Sequence, residues 1–140
     1  MKKFILIITL FITSLYSKDI NSKLYEKIFE GLFPNKNKIL IYNIGENKFS
    51  FNKIFYTKEI YNSDLILVSE YYRLDIFTNR PLFVSDLRQL KIYENSIGAL
   101  YWENDEAKII FLKDRLKKYD IEIADYLKKY VKDEKIYSFW

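Results

Sequence analysis

The chain alternates apolar runs with short polar stretches, and the runs differ in kind. Lys2 and Lys3 lead into a nearly unbroken apolar segment, Phe4 to Ile12, followed by Thr13-Ser14-Leu15-Tyr16-Ser17. Leu24, Ile28, Phe29, Leu32 and Phe33 then recur at helical spacing, with Asn21 or Ser22 as the cap and Pro34-Asn35 as the stop. From Lys38 to Asn43 the apolar residues are consecutive, which predicts a strand buried on both faces, and Gly45 marks the turn after it. Phe51, Ile54 and Phe55 fit a short helix, and Glu59-Ile60-Tyr61 a weak strand.

Leu65 to Ser69 is a second strongly apolar strand, introduced by Ser63-Asp64. Tyr71 to Phe77 suits a short helix, Asn79-Arg80-Pro81 a turn, and Leu82 to Ser85 another strand. Asp86 is placed to cap a helical turn over Leu87-Arg88-Gln89-Leu90. Ile97–Trp102 and Ala107–Leu112 flank the polar Glu103-Asn104-Asp105-Glu106, the pattern of an antiparallel hairpin. Asp114 or Arg115 starts a turn of helix with Leu116, and Ile123, Leu127 and Val131 form a stripe that predicts a last helix over Glu122–Val131. The alternation predicts an α/β fold: a single three-layer-like domain whose central mixed sheet has about five to six strands, with flanking helices and an antiparallel C-terminal hairpin.

The first segment changes where that domain is expected to work. A charged start, a short apolar core and small residues before a polar chain are the layout of a secretory signal peptide. The apolar core falls short of the about 20 residues that span a bilayer as a helix. Residues 1–17 are therefore expected to be cleaved after Ser17, with a cut after Ser14 as a second choice, leaving residues 18–140 as the domain and a periplasmic location. An uncleaved N-terminal anchor is the alternative.

Composition narrows the chemistry. With 49% apolar residues the chain can furnish a core and does not read as disordered. Its formal charge of +4 includes Lys2 and Lys3, so the exported part carries +2. Its acids and bases are interspersed, as in Lys113-Asp114-Arg115, rather than gathered into the basic face that nucleic acid requires. The chain contains neither histidine nor cysteine, which excludes Ser-His-Asp and Cys-His machinery, zinc sites of the usual ligands and a lipid-bearing cysteine at the signal junction. Three isolated glycines cannot form a phosphate-cradling loop. No catalytic residue, cofactor or metal is therefore assigned. Glu103, Asp105 and Glu106 lie on the hairpin loop, where solvation explains them. Asp86 and Arg88, after a strand at the end where open α/β sheets place ligand crevices, are the small-ligand candidates. Tyr71, Tyr72, Arg73 and Trp102 are the partner-binding candidates, because aromatic and Arg residues dominate interface energetics.

Several segments resemble the YfiR-like family of small periplasmic proteins. They are Leu24-Tyr25-Glu26-Lys27-Ile28-Phe29, Ser63 to Ser69, Pro81 to Asp86, and the tail from Ile97-Gly98-Ala99-Leu100-Tyr101-Trp102-Glu103-Asn104 through Ile109, Phe111, Ile121, Ile123 and Leu127. Asp120 stands where the family prefers Gly, and the cysteines of many members are missing. The resemblance implies a regulatory protein rather than an enzyme: one that binds the periplasmic part of a membrane-bound diguanylate cyclase, or a related membrane sensor, and thereby tunes cyclic-di-GMP. A periplasmic small-ligand-binding domain is the alternative.

Overall fold

The computed structural model describes residues 22–45, 52–69 and 79–137. The signal-peptide reading of residues 1–17 and the helix expected from Tyr71 to Phe77 lie outside the described residues. The protein is α/β. Helix α1 covers residues 22–32 and stops at Pro34, where Lys36 N still donates to Phe33 O at 3.1 Å. The strands are β1 (Ile39–Ile44), β2 (Ile54–Tyr56), β3 (Leu65–Val68), β4 (Leu82–Val84), β5 (Ser96–Glu103), β6 (Glu106–Leu112) and β7 (Val131–Lys132). Two further short helices are α2 (Leu87–Ile92) and α3 (Lys113–Lys118).

All seven strands join one mixed sheet in the order β2-β1-β3-β4-β5-β6-β7. Pairings from β2 through β5 are parallel, β5 and β6 are antiparallel, and β7 runs parallel to β6. Alternate side chains serve two cores. Ile39, Ile41, Leu65, Leu67, Phe83 and Phe111 face Tyr25, Ile28, Phe29 and Leu32 of α1. On the other face Ile66, Val68, Val84, Ala99 and Ile110 pack with Leu90 of α2. Phe83 sits at the middle of the first core, its ring 6.1 Å from Phe29 and 6.0 Å from Phe111. Such ring pairs add about 0.5–1.5 kcal/mol each beyond the apolar area they bury.

Gly98 is required by a close approach near the start of β5, where that strand pairs with the end of β6. It faces Phe111, and a Cβ there would stand 2.5 Å from Ile110 O and 2.7 Å from Phe111 Cδ1. The hairpin then closes through Asn104 and Asp105, both at positive φ (52° and 63°), which is the type I′ geometry that matches strand twist.

The sheet therefore has seven strands where about five to six were expected, and two segments differ in kind. Ile54–Tyr56 is an edge strand rather than a helical turn: Ile39 N donates to Lys53 O and Thr57 N to Ile41 O, both at 2.9 Å, and Ile54 is buried. The strand expected at Glu59–Tyr61 is instead a 3₁₀ turn over Ile60–Asn62. The helix expected over Glu122–Val131 is irregular up to Ala124, then 3₁₀ over Asp125–Tyr130, then β7. Its path is set by docking, since Ala124 N donates to Gly31 O at 2.8 Å and Tyr126 Oη to Lys27 O at 2.6 Å.

Candidate functional site

Going from β1 to β2 the chain moves to one side of β1, and it returns to β3 on the other. In open parallel sheets such a reversal opens a crevice at the carboxyl ends of the strands. Here three small polar residues stand side by side at that end, one from each of three adjacent strands: Asn43 in β1, Ser69 just past β3 and Ser85 just past β4. Ser69 Oγ lies 3.1 Å from Asn43 Oδ1 and 3.3 Å from Ile44 O. The Asn43 amide donates to Gly45 O at 3.4 Å, and the Ser85 hydroxyl donates to Val68 O. Tyr25, near the start of α1, completes the row through a side-chain hydrogen bond with Ser85. Burial pushes the Tyr25 hydroxyl pKa up, the bond to Ser85 offsets part of that, and nearby Tyr56 adds to the rise. The row therefore offers hydroxyl and amide groups in a shielded setting, suited to holding a neutral polar group.

Asp86 and Arg88 flank this row in different ways. The Asp86 carboxylate accepts from Gln89 N at 2.7 Å and caps α2, while Gln89 Oε1 accepts from Ser85 N at 3.2 Å. Its Oδ1 is thus engaged in holding the helix start. Arg88 is exposed and makes no hydrogen bond or ion pair among the described residues. Trp102 is 49% exposed near the tip of the β5–β6 hairpin, opposite Ala107. Because β5 runs parallel to β4 and outlasts its pairing at Ala99, this tip projects from the same end of the sheet as the polar row. Tyr71, Tyr72 and Arg73 lie outside the described residues.

Sequence reasoning passed over Asn43, Ser69 and Ser85. The signal was present, because each is the first small polar residue after an apolar strand run, in Tyr42-Asn43, Val68-Ser69 and Val84-Ser85.

The opposite end of the sheet holds a cavity of 420 Å³ bordered by Lys36, Asp64, Arg80, Tyr119 and Glu122. Its charges are largely used within the protein. Lys36 pairs with Asp64, whose second oxygen accepts from Leu40 N at 2.9 Å, and Arg80 donates to Tyr61 O. Among the described residues no group of three or more acidic side chains is placed to hold a metal ion, and no helix is long and apolar enough to cross a membrane. No family model, curated protein or solved structure matches the chain.

Proposed function

We propose that the protein is an exported, non-catalytic regulatory domain that binds the extracytoplasmic part of a membrane sensor, in the manner of the YfiR-like proteins it resembles. The observation that carries this reading is Trp102, a large aromatic held half exposed on a hairpin whose partner strand fixes its position. Fully burying such a side chain in a partner is the usual origin of an interface hot spot. The backbone at Asp120 adds support: its φ of 53° is a conformation that glycine adopts most readily, at the place where the family prefers Gly. The lack of histidine and cysteine fits a role in binding rather than nucleophilic catalysis.

The test is co-purification from membranes of the producing cell. A sensor or diguanylate cyclase should accompany the wild-type chain and be lost with Trp102→Ala. Cyclic-di-GMP that stays unchanged when the gene is deleted counts against the cyclase version.

A second reading, a small-ligand domain, draws on the row Asn43, Ser69 and Ser85 beside Asp86 and Arg88. Ligands raise a melting temperature by mass action. A screen of amino acids, sugars and anions that moves it nowhere removes this reading.

A further inference from the structure

A second cavity lies away from the carboxyl end, where α1, β6 and the C-terminal 3₁₀ turn meet. It measures 570 Å³, within the about 300–1,000 Å³ typical of small-molecule sites. Leu24 and Ile28 of α1, Ile109 of β6 and Leu127 of the turn give it an apolar lining. Leu24 and Ile109 are only half buried, so part of the first core remains open to this cavity. Tyr126 Oη bonded to Lys27 O at 2.6 Å bridges α1 and the turn beside it.

Its charges are of one sign. Every charged residue lining the cavity is a lysine, Lys27 or Lys129, and both are exposed. Neither forms an ion pair among the described residues, whereas neighbouring Lys128 is held by Asp125 at 2.6 Å. Lys129 Nζ instead lies 5.1 Å from the ring centre of Tyr130, which also lines the cavity. Glu30 is close enough to Tyr126 to help raise its hydroxyl pKa, yet it does not line the cavity.

An apolar trough with two uncompensated ammonium groups beside it matches an apolar chain that ends in one negative charge. A neutral chain leaves the lysines unused, and an acidic ligand without a chain leaves Leu24 and Ile109 in water. We infer that this cavity binds a free fatty acid, its chain along Leu24, Ile28, Ile109 and Leu127 and its carboxylate between Lys27 and Lys129. The inference is independent of the sensor-binding surface at Trp102, because it rests on different residues.

Calorimetric titration of the purified chain with dodecanoate, below the concentration at which it forms micelles, tests this. Saturable binding of one dodecanoate per chain is expected. Replacing both lysines, Lys27→Gln with Lys129→Gln, should weaken it about two- to thirtyfold, the range for two exposed charge pairs. Lys91→Gln, on the opposite face of the sheet, should leave it unchanged. Ile109→Trp fills the trough and should abolish binding, and its melting temperature shows whether the fold survives. A second apolar variant, Leu24→Gln, covers the case in which Ile109→Trp does not fold. No saturable binding overturns the inference, as does equal weakening by Lys91→Gln. Binding to phosphatidylglycerol vesicles without binding to monomeric dodecanoate also overturns it, because that is adsorption to an anionic surface.

Discussion

Arg115 and Glu134 are joined across the C-terminal segment, with Arg115 Nη2 2.6 Å from Glu134 Oε1. The other end of the same guanidinium is buried. Its Nη1 donates to Leu90 O at 2.7 Å and to Tyr93 O, Ser96 O and Ser96 Oγ at 3.0 Å. One side chain from α3 thus satisfies carbonyls at the end of α2 and the start of β5, and holds the last described turn against them.

The two halves of that bridge should differ in energy. Arg115→Leu removes the charged donor shared by these buried carbonyls, of which Leu90 O and Tyr93 O keep only the Ser96 donors, and is expected to cost about 1–3 kcal/mol. Glu134 is 46% exposed on its side chain, so Glu134→Gln should cost only about 0–1 kcal/mol. Urea unfolding of both variants checks this, and similar losses would show that the ion pair, not the buried hydrogen bonds, dominates.

Asp86 offers a way to separate a cap from a ligand contact. Asp86→Ala removes the bond from Gln89 N and should lower stability by about 0.5–2 kcal/mol, while Asp86→Ser keeps an accepting oxygen and should recover most of it. Thermal unfolding of the pair is the measurement. If Asp86→Ser proves as unstable as Asp86→Ala, the carboxylate is doing something other than capping.

Two glycines should resist alanine for different reasons. At Gly98 the added methyl meets the backbone oxygen of Ile110 as well as Phe111, so the strain cannot be relieved by a smaller neighbour. A loss of about 1–3 kcal/mol is expected, and Phe111→Leu should restore little of it. At Gly31 the obstacles are the side chains of Leu127 and Tyr126, and alanine also gains about 0.5–1 kcal/mol of helix preference. Gly31→Ala should therefore couple favourably to Leu127→Ala in a double-mutant cycle, where Gly98→Ala and Phe111→Leu should be nearly additive.

What the sequence disclosed, and what it concealed, follows the range of the forces involved. β1, β3 and the β5–β6 hairpin were readable because their evidence is local: consecutive apolar residues in Leu65-Ile66-Leu67-Val68, and two runs around a short polar loop. β2 was hidden because Phe51, Ile54 and Phe55 have helical spacing, and only pairing with Ile39–Ile41 makes Ile54–Tyr56 a strand. The last segment misled in the same way. Ile123, Leu127 and Val131 do turn inward, but by docking on Gly31 and the edge of β6 rather than by winding an α-helix. At the candidate site the cap role of Asp86 was legible from its place before Leu87, whereas the alignment of Asn43, Ser69 and Ser85 exists only once three distant strands are side by side.

Tyrosine hydroxyls, the buried Tyr25 foremost, give the protein an alkaline limit with a definite sign. Burial raises the hydroxyl pKa of Tyr25 above its ordinary 10.0, and Tyr119 and Tyr126 move the same way for the same cause. An unfolded chain then releases these protons first. The stability they contribute is complete below about pH 10 and is lost as the pH climbs through the higher folded values. Exposed Lys108 and Lys128, held protonated by Glu106 and Asp125, act in the same direction, so the wild-type curve alone does not isolate the tyrosines. Tyr25→Phe does. It keeps the ring against Phe29 and Phe83, loses the bond to Ser85 at a cost of about 1 kcal/mol near neutral pH, and should flatten the alkaline decline. Melting temperatures of the two proteins, followed from about pH 8 to about pH 11, should therefore converge as the pH rises. Curves that stay parallel over that range would mean that Tyr25 ionises as readily in the fold as outside it.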